Sequence, residues 1–185
     1  LACENNYQKM RNFLGVGPVD FRLDYRIHSN IETKGLQFNN TKLMHLDENK
    51  KVMHVIWHDH LIGTGQDGEH KALVEATLGK SNMTALEDGL ALQFAETWHH
   101  KGIRYWAGLL YTSGNMPKVK DLLNQSLYER ESDLVKEPAA TLFVEYLIAK
   151  YGMNTFLSNI YKNWKANAQD LAKAQKEWDI SLQKR

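Results

Sequence analysis

The chain has 185 residues, which suits one domain with a sizeable core. Hydrophobic residues make up 43% and charged residues 24%, as in ordinary globular proteins. The formal net charge is +1, and no basic run is interleaved with aromatic residues, which argues against a nucleic-acid partner. No apolar run approaches the ~20 residues that a membrane-spanning helix needs.

The N-terminal part of the chain predicts a short helix and then a small sheet. Residues 4–14 carry apolar side chains at helical spacing. Phe21–Arg26 alternates apolar and polar residues, which predicts a half-buried strand, and Leu36–Leu46 is a second β-like region. Val52–His58 is the densest run of β-branched and aromatic residues, so we expect the central strand there.

Beyond Gly68 the apolar residues recur every three or four positions, which predicts helices. Thr84 and Glu87 have the spacing of a capping box, and Gly79 and Gly152 are placed to end helices. We expect helices at about 72–78, 84–98, 103–111, 119–128, 139–151, 156–164 and 171–182. The predicted fold class is α+β.

Residues 1–18 are expected to form a tether and a short helix, and residues 19–185 a single domain. The sheet should occupy about 19–62, and the mainly helical part about 69–185.

Cys3 is the sole cysteine, and Leu1-Ala2-Cys3 resembles the end of a bacterial lipoprotein signal, where that cysteine is lipidated. The polar Glu4–Asn6 would suit a tether leading off a membrane. The alternative is a chain boundary that happens to include a cysteine.

Three segments and a closing tryptophan resemble, in their order, the catalytic domain of the gluzincin (peptidase MA-like) zinc metallopeptidases. Val52–His58 is similar to the strand before the active-site helix, and Leu86–Phe94 to the helix that bears a glutamate ligand. Pro138–Gly152 and the closing Trp178 match later parts of that domain. The resemblance covers roughly residues 50–182 and implies a zincin-like fold.

The zinc chemistry of that family is not matched. Its H-E-x-x-H helix holds two histidines on one face, with a glutamate that activates the zinc-bound water. Aligned on Gly79, the first histidine position is Lys71, the catalytic glutamate is Ala72 and the second histidine is Glu75. The third ligand position becomes Asp88. We expect Lys71 to pair with Asp88 or Glu75, its ammonium standing in for the metal.

A different metal set is conceivable from the histidines. His58 and His60 form an H-x-H pair whose side chains share one face of a strand, and His70 lies on the following helix. The spacing fits no metal pattern that we recognise, and His70 is more simply a residue of the first helical turn.

The sequence thus predicts a non-catalytic, peptidase-like pseudoenzyme: an extracytoplasmic lipoprotein of the bacterial cell envelope that binds peptide or protein. No cofactor and no nucleic acid are expected, and membrane contact would come through the lipid anchor only. One alternative is an active metal-dependent hydrolase with zinc on a rearranged site of His58, His60, His70 and Glu75. Another is a structural protein of the cell surface.

Overall fold

The computed structural model describes residues 2–18, 22–41, 43–47, 51–56, 67–95, 98–99 and 101–183. The part of the chain so described is α+β, as predicted, with one three-stranded sheet. Its strands are β1 (Asp24–His28), β2 (Met44–Asp47) and β3 (Val52–Ile56). Its helices are α1 (Ala2–Leu14), α2 (Ile31–Phe38), α3 (Asp67–Leu78), α4 (Thr84–Ala91), α5 (Ile103–Thr112), α6 (Val119–Leu122), α7 (Gln125–Arg130), α8 (Asp133–Tyr151), α9 (Met153–Thr155) and α10 (Ala168–Gln183), with a 3₁₀ turn at Leu92–Phe94 and a π-helical segment at Phe156–Tyr161.

The chain divides into two compact units, and the single domain expected over residues 19–185 stays a prediction. The sheet unit comprises residues 1–79 and 94–100, and contains the three strands with α1, α2 and α3. The helical unit comprises residues 80–93 and 101–185. None of the helices in the described ranges is both long and apolar enough to cross a membrane.

The central strand of the sheet is β3, as the dense β-branched run predicted. Its neighbour β1 is parallel to it, with Arg26 opposite His54. The neighbour on the other side, β2, is antiparallel, with His45 opposite His54. Side chains alternate between the two faces of a strand, so each register fixes which residues meet on one face.

The two faces of the sheet differ in chemistry. On one face, Met53 and Val55 pack with Ala72 of α3, and Leu23, Met44 and Leu46 extend this apolar cluster. The opposite face carries histidines from all three strands.

The helix α1 contacts α3, and its Met10 and Leu14 are buried. The predicted tether Glu4–Asn6 therefore lies inside a packed helix, and the Asn6 amide donates to Glu69 at 3.3 Å.

One predicted strand is partly helical. The β-like region Leu36–Leu46 begins inside α2, and only Met44–Asp47 forms a strand. Asn30 caps α2, because its side-chain oxygen accepts from the Thr33 N–H at 2.8 Å. Asn39 ends the helix in the left-handed region, with φ of 49°, and donates its N–H to the Gly35 carbonyl. These local caps outweigh the alternating pattern on which the strand prediction relied.

The helical unit is organised around the packing of α4 on α8. Gly89 makes this packing close: a Cβ there would meet the Ala140 carbonyl and would lie 2.8 Å from Val144 Cγ2. Any larger residue would push the helices apart, and overpacking of this kind costs about 1–3 kcal/mol. The glycine of the Glu-Asp-Gly-Leu-Ala segment is thus required by helix contact.

The helical part differs from the sequence prediction in several details, and the helix expected at about 119–128 forms two helices, α6 and α7. The helix α4 ends at Ala91, well before Trp98. Its N-cap is Met83, while the Thr84 hydroxyl accepts from the Gln125 amide at 2.6 Å, so the predicted capping box does not form. The helix α8 begins at Asp133 and contains Pro138 in its interior. The predicted ends at Gly79 and Gly152 are confirmed, with φ of 76° and 80°.

Candidate functional site

Three imidazoles, one from each strand, form a contiguous cluster on one face of the sheet. His28 Nε2 and His54 Nδ1 are 2.9 Å apart and share a hydrogen bond whose direction depends on the tautomers. The His45 and His54 rings stack with centroids 4.8 Å apart and planes at 11°, and the His28 and His54 rings with centroids 5.2 Å apart and planes at 19°. We call His28, His45 and His54 the imidazole cluster.

The helix α2 covers the imidazole cluster. The Phe38 ring lies 4.1 Å from the His54 ring and 5.2 Å from the His28 ring, measured between centroids. Arg26 places its guanidinium 5.9 Å from the Phe38 centroid. Lys34, on the same helix, is fully buried and donates to the Asn40 carbonyl at 3.3 Å. The cluster is therefore bounded by an aromatic ring and by positive charge.

This surrounding lowers the pKa of all three histidines. Burial, followed by the charge on Lys34, lowers the pKa of His45 to about 4, although the charge on Asp47 opposes the shift. Burial is also the largest cause for His28, followed by the charge on Arg26. For His54 the largest cause is burial and the next is a charge on His28. The imidazoles are therefore neutral at pH 7 and protonate only in acid.

The geometry of the cluster does not suit chelation of a metal ion. Lone pairs of an imidazole lie in the ring plane, so stacked rings do not aim their nitrogens at one point. In the ranges that the structure describes, no group of three or more His, Cys, Asp or Glu side chains is arranged to hold a metal ion. His45 Nδ1 is buried there without a hydrogen bond. Protonation of any one ring would place a cation beside Lys34 and Arg26.

The sequence analysis missed this cluster because it follows from cross-strand register. His45 and His54 lie in predicted β regions, and His28 just beyond the first one. A histidine in or just after each of the three predicted β regions was the available signal, but neither the strand order nor the register could be derived from it. The sequence analysis considered His58 and His60 as metal ligands, and both lie outside the described residues.

Three of the four residues aligned above, by resemblance, with the gluzincin site lie on α3 in the sheet unit. Ala72 is buried in the apolar cluster with Met53 and Val55, so its side chain serves the core. Lys71 and Glu75 are half-buried and lie one helical turn apart, on one side of α3. The proposed pairing of Lys71 with Glu75 or Asp88 stays a prediction. His70 lies in the first turn of α3, as expected, and is buried.

The fourth position, Asp88, lies on α4 in the helical unit and is buried. The Tyr128 hydroxyl donates to Asp88 Oδ2 at 3.0 Å. Burial and the nearby charge of Asp88 raise the pKa of Tyr128 well above its usual value, so the phenol keeps its proton and remains a donor. Its neighbour Glu87 is also buried and accepts from the Ser81 N–H at 3.2 Å. Both carboxylates are hydrogen-bonded within their own unit.

Three of the predicted site side chains lie outside the described part of the chain. His58 and His60 lie outside the described residues, as does the side chain of Cys3, although its backbone belongs to α1. Metal binding at His58, His60 and His70, and lipidation at Cys3, stay predictions.

Comparison with known proteins adds no relative: no protein-family model matches the sequence, and no curated protein or solved structure is detectably similar to it. The gluzincin resemblance therefore rests on the segments named above. The α+β class rests on the structure itself.

Because of the imidazole cluster, we expect the sheet unit to lose folding stability in acid. Because the folded-state pKa values are lowered, the unfolded chain binds more protons below pH 6.5. The stabilisation is complete above pH 6.5 and is lost as the pH falls towards about 4, the pKa of His45. Hydrogen exchange of the β3 amides, measured across this range, should show protection that declines with acid.

The matched variants are His45→Gln, which removes one cluster imidazole, and His99→Asn, which removes an exposed one outside it. His45→Gln should flatten the decline, and His99→Asn should leave it unchanged. Equal pH dependence in His45→Gln and the parent protein would contradict this role for the cluster.

Proposed function

We propose that the chain is a non-catalytic, gluzincin-like protein of the bacterial cell envelope that binds extended peptide or unfolded protein segments at the outer edge of β1. Two features support the loss of zinc chemistry. Ala72, at the position of the catalytic glutamate, packs in the core. Asp88, at the position of the third ligand, accepts a hydrogen bond from Tyr128.

The observation that carries the peptide-binding proposal is the direction of the β1 backbone. The Asp24 N–H donates to the Lys51 carbonyl at 3.1 Å, towards β3. Hydrogen bonds alternate in direction along a strand, so Arg26 and His28 also bond towards β3. The N–H and C=O of Ile27 therefore point to the outer edge, where β1 ends the described sheet. Such an edge is a template on which another strand can pair.

The side chains of β1 favour the same conclusion. Ile27 is 65% exposed, which is high for a β-branched apolar residue in a strand. Tyr25, two residues earlier on the same face, is 42% exposed. A peptide strand lying along β1 would cover Ile27 and Tyr25. Its main-chain hydrogen bonds would supply affinity, and its alternate apolar side chains would set which peptide sequences bind best.

The test uses β-casein, an unfolded polypeptide, as the probe. The untagged protein should bind immobilised casein without cleaving it. Ile27→Pro removes the outward N–H and obstructs the edge, and should weaken binding at least about tenfold, which corresponds to ~1.4 kcal/mol. Ile27→Val keeps the N–H and the branched side chain, and should bind within about twofold of the parent.

Circular dichroism should show that both variants fold. Equal binding by Ile27→Pro and Ile27→Val would contradict docking at this edge. Cleavage of casein that a chelator abolishes, together with one zinc per chain, would replace the proposal with the hydrolase alternative.

The lipid anchor is the second part of the proposal, and Leu1-Ala2-Cys3 is its only support. Since α1 includes Cys3 and contacts α3, an acyl chain there would hold the sheet unit near the bilayer without a spacer. Cells that express the protein should incorporate radioactive palmitate into it, and Cys3→Ser should lose the label. Unlabelled parent protein, or labelled Cys3→Ser, would contradict the anchor.

A further inference from the structure

The helix α2 lies on the sheet with little apolar burial. Lys34 is its only buried residue and is 0% exposed. Phe38 is half-buried, whereas Leu36 is 91% exposed and Ile31 is also exposed. A helix of eight residues is marginal in water by itself, so α2 depends on its contacts with the sheet. Because few of these contacts are apolar and buried, its free energy of local opening is low.

The contacts of α2 with the sheet are made at the imidazole cluster. The Phe38 ring packs against the rings of His54 and His28. On the same helix, the buried Lys34 ammonium donates to the Asn40 carbonyl. Burial of an ammonium group costs hydration free energy even where the group is hydrogen-bonded. The closed position of α2 therefore carries a cost that opening would remove.

The charges that act on the imidazole cluster are mostly positive. Among the described residues, and apart from the histidines themselves, they belong to Arg26 of β1, Lys34 of α2 and Asp47 of β2. Lys34 acts on all three histidines and Arg26 on two of them, while the carboxylate of Asp47 acts on two. A proton on any ring adds like charge to a space that α2 closes. Such repulsion is strongest where water is excluded.

We propose that α2 is an acid-released flap: protonation of the imidazole cluster detaches it from the sheet, while the opposite, apolar face keeps the strands and α3 together. Opening gives the imidazoles access to water and moves Lys34 away from them. The open form therefore binds protons that the closed form excludes. The apolar cluster around Met53 and Val55 includes no residue of α2, so it does not need α2 in place.

The two ends of α2 allow such a movement. The helix begins after Asn30 and ends at Asn39, and both cap residues lie outside the flanking strands. Large backbone changes in hinged elements are confined to a few residues of this kind. Rotation at these two caps would lift α2 without changing the register of β1 on β3.

Release of α2 would change the chemistry of one face of the sheet. At neutral pH this face is covered by α2, and in acid it would present protonated imidazoles beside Arg26. The release does not depend on peptide binding at β1. It involves the histidine face, whereas Ile27 lies on the face of Val55.

Hydrogen exchange of the whole chain, corrected for the intrinsic effect of pH on exchange, tests the release element by element. We expect the hydrogen-bonded amides of α2 to lose protection at a higher pH than those of β3 and α3. On opening, the pKa of His45 would return from about 4 to its ordinary 6.5. This histidine alone should therefore lower α2 protection about tenfold between pH 7 and about pH 5.5.

Lys34→Met removes the buried charge and keeps an unbranched side chain of similar length. Because the imidazoles could then be protonated with less repulsion, the acid loss of α2 protection should fall from about tenfold to about threefold or less. The matched variant Lys101→Met removes an exposed lysine of the helical unit and should keep the pH profile of the parent. Circular dichroism establishes that both variants fold.

If Lys34→Met does not fold, His45→Gln replaces it, with the same expected result and with His99→Asn as its control. Loss of protection in α2, α3 and β3 at one common pH would overturn the proposal, since the whole unit would then open together. Protection of α2 that is unchanged between pH 7 and about pH 5.5 would also overturn it. So would equal pH profiles of the cluster variant and its control.

Discussion

The close approach of α4 to α8 at Gly89 is the constraint on which the helical unit depends. The Ala140 carbonyl occupies the space that a Cβ of residue 89 would need. Because α4 has only eight residues, fixing Gly89 also fixes the orientation of Glu87 and Asp88 just before it. The two carboxylates are thereby carried into a buried setting, where each must find a hydrogen-bond partner.

The hydrogen-bond partners of Glu87 and Asp88 show that both carboxylates contribute to the fold. Tyr128 donates to Asp88, and the Ser81 N–H donates to Glu87. Tyr128 keeps its proton because its pKa is raised well above the usual value, so it is a permanent donor. Under our proposal, an aspartate at the former position of a zinc ligand has become part of the fold, and peptide binding takes place at the β1 edge.

The sequence predicted features that depend on neighbouring residues, but it did not predict contacts between residues that are distant in the chain. Local signals identified β3 as the central strand and placed the helix ends at Gly79 and Gly152. The helix α2 was missed because its Asn30 and Asn39 caps were not recognised. The imidazole cluster depends on strand order and register, and the Asp88–Tyr128 bond joins residues 40 positions apart. Neither contact leaves a periodic signal in the sequence.

The central claim is that Asp88 serves the fold through Tyr128. A double-mutant cycle of Asp88→Ala and Tyr128→Phe, measured by urea unfolding of the metal-free protein, tests it most directly. We predict that each single substitution destabilises the protein and that their coupling is about 1.5–3 kcal/mol, as for a hydrogen bond to a buried charge. A coupling near zero would contradict the claim, because it would show that the stability supplied by Asp88 does not depend on Tyr128.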